Sequence, residues 1–254
     1  MNSQLNLNQI HSKILEWLSH SREKILNFNQ FSIDTKSNDK DLVTTVDKTI
    51  EADFKDFIQN NFPDHQILGE ESYASFEAND SPFLWVIDPI DGTANFVKMR
   101  QDYCVMLAFF IKQEPQLSYI YDIYNNHLYY AIKGQGVFHN DRTLAKPQLC
   151  SIEESFVSID RLRTDDSSLL HKIDQGAFDL RYLGCSGLDG ARVLEGKFAA
   201  FVNPKGGPWD YAPFILMAQE LDLKLCAWSG ERLDLSGYSD FFLGRPEVYQ
   251  ELFN

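Results

Sequence analysis

The stretch that decides the reading is Trp85-Val86-Ile87-Asp88-Pro89-Ile90-Asp91-Gly92-Thr93-Ala94-Asn95-Phe96. An apolar run delivers Asp88 at its end, and Pro89, with no N–H to give a ladder, halts the strand. Asp91 can fold back toward Asp88, so that two hard oxygen donors converge, with the Ile90 carbonyl available as a third. Gly92 lets the backbone approach a ligand closely. The amides that follow can open a helix, where N–H groups form an anion site. Cation ligands beside a phosphate cradle are what metal-assisted phosphoryl transfer requires. The plain alternative is an ordinary Asp/Pro/Gly turn after a buried strand.

Two further clusters bear on that choice. Gly69-Glu70-Glu71 follows a short apolar run, Gln66 to Leu68. Consecutive glutamates at a strand end are costly beside a core unless a positive charge offsets them or both point to solvent. In Trp209-Asp210-Tyr211-Ala212-Pro213, Asp210 is placed to cap a helix whose first turn tolerates Pro213. A cap and a metal ligand are not exclusive.

Working outward, the 254 residues suit one large domain or two small ones with ample apolar material. Lys and Arg number 23 against 37 Asp and Glu, a formal charge of −14. A nucleic-acid groove or an anionic membrane needs clustered positive charge, and no such surplus exists. The excess serves solubility, with part of it available to cations. Cys104, Cys150, Cys185 and Cys226 form no CxxC pair, and their wide spacing fits reduced thiols in a cytosolic protein. The polar start, Met1 to Lys13, has no apolar segment of the signal-peptide kind. The longest apolar run, Tyr103 to Ile111, covers about half a membrane span and reads as a strand. Cytoplasmic residence is the expectation.

Periodicity predicts a first helix carrying Leu7, Ile10, Ile14, Leu18, Ile25 and Phe28, then an exposed loop over Asp34 to Asp41. A second helix runs from Val46 to Phe62 and Pro63 stops it. Strands are expected at Gln66–Leu68, Leu84–Ile87 and Cys104–Ile111. Hairpins turn at Asn125-Asn126 and Asn140-Asp141. The later chain alternates. Strands are read at Phe156–Ile159, Leu180–Leu183, Phe198–Val202, Leu223–Ala227 and Phe241–Leu243. Helices are read at Ser167–Ile173, Leu188–Leu194 and Tyr211–Leu221. The pattern predicts an N-terminal α+β half, residues 1–145, packed closely on a C-terminal α/β half, residues 146–254.

Several other chemistries fail on spacing. A cysteine-phosphatase loop brackets five residues between Cys and Arg, whereas Cys185 and Arg192 bracket six. Asp88 and Asp91 stand three apart, not two as an aspartyl-phosphate motif requires. No GxxxxGK[ST] is present. The six histidines form no HxxxH pair and read as surface or hairpin residues.

Taken together, the clusters resemble the inositol monophosphatase family of magnesium-dependent, lithium-sensitive phosphatases. Trp85 to Phe96 matches the family signature WxxDPxDGTxNF without a gap. Gly69 to Glu71 matches its GEE element, and Trp209 to Pro213 its WDxAP element. Lys36-Ser37 with Asp41-Leu42-Val43-Thr44-Thr45-Val46-Asp47 matches its lid segment. The resemblance implies a layered αβαβα sandwich. It implies one Mg²⁺ on Glu70, Asp88 and the Ile90 carbonyl, a second on Asp88, Asp91 and Asp210, and a weaker third on Glu70 and waters. Thr93 with Asp47 would orient the attacking water, and the lid from Lys36 to Asp41 would close over the site. The Gly92 and Thr93 amides would hold phosphate. Substrate contacts would come from Asp91, Gly92, Thr93, Cys185, Ser186, Asn203 and Asp210. Asn203 stands where inositol-hydrolysing members often carry a glutamate, and Lys205 either meets a second phosphate or is a solvated surface lysine. The resemblance implies hydrolysis of inositol monophosphate, with NADP, fructose 1,6-bisphosphate or adenosine bisphosphate as alternatives. A non-catalytic interaction protein on the same scaffold is the alternative outside enzymology. A homodimer is expected, with Tyr119, Tyr121, Tyr124, Tyr129 and Tyr130 offering a contact surface or filling the hairpin faces.

Overall fold

The computed structural model describes residues 6–35, 42–148, 150–161 and 163–253. The chain opens with α1 (Leu7–Asn27), β1 (Ile33–Thr35), β2 (Leu42–Thr44) and α2 (Thr45–Asn61). It continues through β3 (Gln66–Gly69), β4 (Phe83–Asp91), α3 (Thr93–Lys98), β5 (Cys104–Ile111) and β6 (Glu114–Asp122). Then come β7 (His127–Ile132), β8 (Gly136–His139) and β9 (Arg142–Thr143). The later chain supplies β10 (Phe156–Ile159), α4 (Ser167–Gly176), β11 (Asp179–Arg181), α5 (Ser186–Leu194) and β12 (Phe198–Gly206). It closes with α6 (Pro208–Leu221), β13 (Lys224–Cys226), β14 (Ser239–Gly244) and α7 (Pro246–Phe253).

A seven-stranded sheet runs β3-β4-β5-β6-β7-β8-β9, and a five-stranded sheet runs β11-β10-β12-β14-β13. In the larger sheet only β3 and β4 pair in parallel. The smaller one is mixed, with β10 parallel to both its neighbours. The layers follow from alternation along the strands. In β4 and β5, Trp85, Ile87, Val105, Leu107 and Phe109 meet Ile14, Trp17, Ile50 and Phe54 of α1 and α2. On the opposite face Cys104, Met106 and Ile120 meet Leu188 and Ala191 of α5, Phe214 and Met217 of α6, and Phe201 and Leu243 of the second sheet. The far face of that sheet packs Val157, Val202 and Phe242 against Ile173 of α4 and Val248 of α7. The result is the expected αβαβα sandwich. β5 reads as an unbroken apolar run because both its faces are covered.

Local sequence accounts for most element ends. Asn6 caps α1 by accepting from the Asn8 and Gln9 amides. Thr44 and Asp47 form a reciprocal capping box at the start of α2. Four readings need correction. α6 starts at Pro208, whose fixed φ suits a first helical position, so Asp210 caps it from the third helical position, accepting from the Gly207 amide, and not from the N-cap itself. Pro213 consequently sits in the helix body. α7 was not expected, because eight residues are too few for periodicity to declare. Tyr119, Tyr121 and Tyr129 are buried and cannot form a contact surface, whereas Tyr124 is exposed. His65 is not a surface residue: its Nδ1 accepts from the Trp85 indole at 3.0 Å between Phe62 and Phe83.

Candidate functional site

The carboxylates converge because β4 breaks register. Asp88 pairs with Met106 of β5 and Asp91 with Cys104, so three steps on one strand match two on the other. In a regular strand, positions three apart face opposite sides. The bulge cancels one step and returns Asp91 to the face of Asp88. Within the turn the Ile90 amide donates to Asp88 Oδ1 at 3.0 Å. Asp210 arrives from the first turn of α6, where its Oδ2 accepts from the Gly207 amide at 2.7 Å. Donor atoms of Asp88, Asp91 and Asp210 all lie within 4.8 Å of one another.

These groups repel one another. Burial raises the Asp91 carboxyl above its ordinary range, although the Cys185 thiol, the Gly187 and Ser186 amides and the Cys104 thiol all donate to it. Asp210 is pushed up to about 7, first by burial and then by the Asp91 charge, against the stabilising Gly207 amide. Burial also raises Asp47, over the opposing bonds from Thr44 and Thr93. A cluster of closely spaced, mutually repelling oxygen donors suits a hard cation such as Mg²⁺.

Thr93 opens α3 directly after Gly92, whose φ of +83° is the left-handed region. Its Oγ1 lies 3.0 Å from Asp47 Oδ1 and 3.0 Å from the Ile90 carbonyl. The single hydroxyl proton serves one acceptor at a time, either the Asp47 carboxylate or the Ile90 carbonyl. Glu70 follows β3, and its amide donates to the Ile87 carbonyl at 3.1 Å. A cleft of ≈ 160 Å³ is lined by Leu42, Glu70, Asp91, Gly92, Thr93, Ser186, Asn203, Lys205 and Asp210, with Arg163 and Tyr182 at the same opening. Asn203 Oδ1 accepts from the Lys205 amide at 2.9 Å, and its Nδ2 stands 3.4 Å from Ser186 Oγ. Cys185 is buried behind Asp91, with its Sγ 3.0 Å from Oδ2, and does not reach the cleft wall. The lid segment Lys36 to Asp41 lies outside the described residues.

Several supporting residues escaped sequence reasoning. Glu51, 2% exposed, accepts from the Glu71 amide at 2.8 Å and fixes the turn that presents Glu70. A Cβ on Gly69 would stand 2.4 Å from the Glu51 carboxyl carbon. The available signal was that Glu51 shares the helix face of Asp47 and Phe54. Asn95 Nδ2 donates to the Asp102 and Leu183 carbonyls, tying the signature segment to the turn before α5. Buried Asp189 accepts from Ser158 Oγ at 2.7 Å and from the Leu183 amide, and burial pushes it up to about 6. Arg163 reaches Asp160 at 3.3 Å, and Tyr182 donates to the same carboxylate at 3.0 Å. No local pattern announces either.

A family model described as the inositol monophosphatase family matches residues 9–253. The inositol-1-monophosphatase of Bacillus subtilis (strain 168) is 31% identical over 255 residues, covering 98% of this chain and 96% of the relative. The crystal structure of an IMPase/NADP phosphatase with NADP and Ca²⁺ at pH 7.0 is 34% identical with a TM-score of 0.94, covering 99% of this chain and 96% of that one. A LiCl-soaked inhibitory complex of staphylococcal inositol monophosphatase-1 is 34% identical with a TM-score of 0.94, covering 99% of this chain and 95% of that one.

Proposed function

The chain belongs to the inositol monophosphatase family, and from that premise we propose that it is a Mg²⁺-dependent, lithium-sensitive phosphomonoesterase with inositol monophosphate among its substrates. The observation that carries this reading is the oxygen triad of Asp88, Asp91 and Asp210, drawn within 4.8 Å beside the Thr93–Asp47 pair. Glu70, Asp88 and the Ile90 carbonyl would hold one Mg²⁺, and Asp88, Asp91 and Asp210 a second, with Glu70 contributing to a third. Bound Mg²⁺ supplies the charge that polarises phosphoryl oxygens and acidifies water.

The chain's own groups then have defined tasks. Asp47 accepts the hydrogen bond of the Thr93 hydroxyl, which leaves Oγ1 lone pairs to accept a hydrogen bond from the attacking water and fix its direction. The Gly92 and Thr93 amides bind phosphate oxygens at the start of α3. Ser186 and Asn203 face the rest of the substrate. Asn203 is half occupied by the Lys205 amide, so it offers a ring hydroxyl fewer acceptors than a glutamate would.

A second substrate reading rests on Lys205 and on Arg163, itself paired with Asp160, which line one small cleft. They favour an ester with a further anionic group, as in NADP or a bisphosphate. The test is phosphate release from inositol 1-phosphate, NADP, fructose 1,6-bisphosphate and adenosine 3′,5′-bisphosphate, with EDTA and lithium arms. Mg²⁺-dependent, lithium-inhibited release led by inositol 1-phosphate is the expected result. A preference for the doubly charged esters would select the second reading. Silence on all four with Mg²⁺ bound would turn the reading toward an interaction protein. The family membership also supports a cytoplasmic homodimer, which sedimentation at working concentration checks.

A further inference from the structure

Two thiols 81 positions apart in sequence meet behind the carboxylate cluster, their Sγ atoms 3.6 Å apart. Cys104 opens β5 and Cys185 immediately precedes α5; both are free and buried. Each also reaches Oδ2 of Asp91, Cys185 at 3.0 Å and Cys104 at 3.4 Å. The three ligand atoms form a closed triangle, all within 4.8 Å of one another. Tetrahedral zinc, with Zn–S about 2.3 Å and Zn–O about 2.1 Å, has ligand–ligand edges of about 3.6–3.8 Å. The present edges of 3.6, 3.4 and 3.0 Å therefore need to open by up to about 0.6 Å.

Position 187 packs tightly against the sulfurs, and only glycine leaves them their present spacing. A Cβ there would stand 2.4 Å from Cys104 Sγ and 3.0 Å from Met106 Sδ. Any side chain there would push the sulfurs apart. Two sulfurs and one carboxylate are a soft donor set, unlike the all-oxygen set that Asp91 shares with Asp88 and Asp210. Asp91 itself lines the cleft, and the two sulfurs lie directly behind it.

We propose that Asp91, Cys104 and Cys185 form a second cation site, selective for thiophilic divalent ions such as Zn²⁺ and Cd²⁺, that shares Asp91 with the oxygen cluster. Binding makes two metal–sulfur bonds and one metal–oxygen bond, releases two thiol protons to solvent, and oxidises nothing. An ion there turns Asp91 away from the hard-cation cluster, so it inhibits turnover and excess Mg²⁺ relieves the inhibition. That last consequence rests on the proposed role of Asp91 in the phosphatase reaction; the binding itself does not.

The test is an anaerobic titration of the reduced protein with CdCl₂, read by sulfur-to-cadmium charge-transfer absorption. The wild type is compared with Cys104→Ala/Cys185→Ala, which keeps Cys150 and Cys226 as internal controls. We expect a saturable band at one equivalent in the wild type and at least a tenfold loss of affinity in the double variant. No saturable band, or the same band in the variant, overturns the site. X-ray absorption at the zinc edge on the wild-type 1:1 complex needs no variant: two sulfur neighbours near about 2.3 Å are expected, and a shell of oxygen and nitrogen alone refutes the site. A Cd²⁺ band in a protein that releases no phosphate would keep the site and retire the phosphatase reading.

Discussion

Asp210 carries the clearest cost of assembling the site. Its carboxyl stands at about 7 in the folded chain against 3.8 for an unperturbed one. The folded state therefore binds this proton more tightly than the unfolded state does. Its contribution to stability is complete below about 4 and is lost as pH rises to about 7. His65 runs the opposite way. Burial lowers it from 6.5 to about 4, so its contribution is lost as pH falls through that window. The two overlap in the wild type, and the diagnostic quantity is a difference. In EDTA, the melting temperature of Asp210→Asn should gain on the wild type steadily between about pH 4 and 7. Added Mg²⁺ should stabilise the wild type more than the variant above that window, since a ligand of the folded state alone raises stability. Parallel melting curves across pH would remove Asp210 from the cluster's electrostatics. At this scale the convergence of Asp88, Asp91 and Asp210 beside Thr93 was legible because each sits in a short run of informative neighbours. Glu51, Asn95 and the Cys104–Cys185 pair were not. Each acts through a contact between elements far apart in sequence, and spacing carries no record of it.

Elements repeat the lesson in their own terms. The capping box of Thr44 and Asp47 and the turns at Asn126 and Asn140, both at positive φ, follow from local residue chemistry. The turn between β5 and β6 places Lys112 and Gln113 at positive φ, and neither residue signals that conformation. Tertiary pairing of two long buried strands sets it instead. The contact of α5 with α6 is another case. Gly190 reads as a helix weakener, yet a Cβ there would stand 2.1 Å from Cζ of Phe214. The glycine is what lets the two central helices close, and those helices carry Ser186 and Asp210 to the cleft. Gly190→Ala should therefore destabilise the protein despite alanine's better helix propensity, by about 1–3 kcal/mol from overpacking. Phe214→Leu in the same chain should recover part of that loss in a double-mutant cycle read by chemical denaturation. An unchanged or higher midpoint for Gly190→Ala alone would show that the helices can separate freely and that the contact does not set their spacing.

For the molecule as a whole, the question is whether residues 1–145 and 146–254 act as two units or one. The seven-stranded sheet is drawn from the first range and the five-stranded sheet from the second. Between them, however, α5 and α6 share one apolar cluster with Met106 and Ile120 of the larger sheet and Phe201 and Leu243 of the smaller. Separating the halves would expose both sides of that layer to water, a large loss of buried apolar surface. The site straddles the same line: Asp88, Asp91 and Thr93 come from one half, Ser186, Asn203 and Asp210 from the other. We infer a single cooperative unit. Calorimetry should give one transition whose van't Hoff and calorimetric enthalpies agree. The enthalpy should be about 180 kcal/mol, from about 0.7 kcal/mol for each of 254 residues. Mg²⁺ should move that transition upward without splitting it, because its proposed ligands belong to both halves. Two transitions, with only one responding to Mg²⁺, would divide the chain into separate domains and confine the cation to the half that responds.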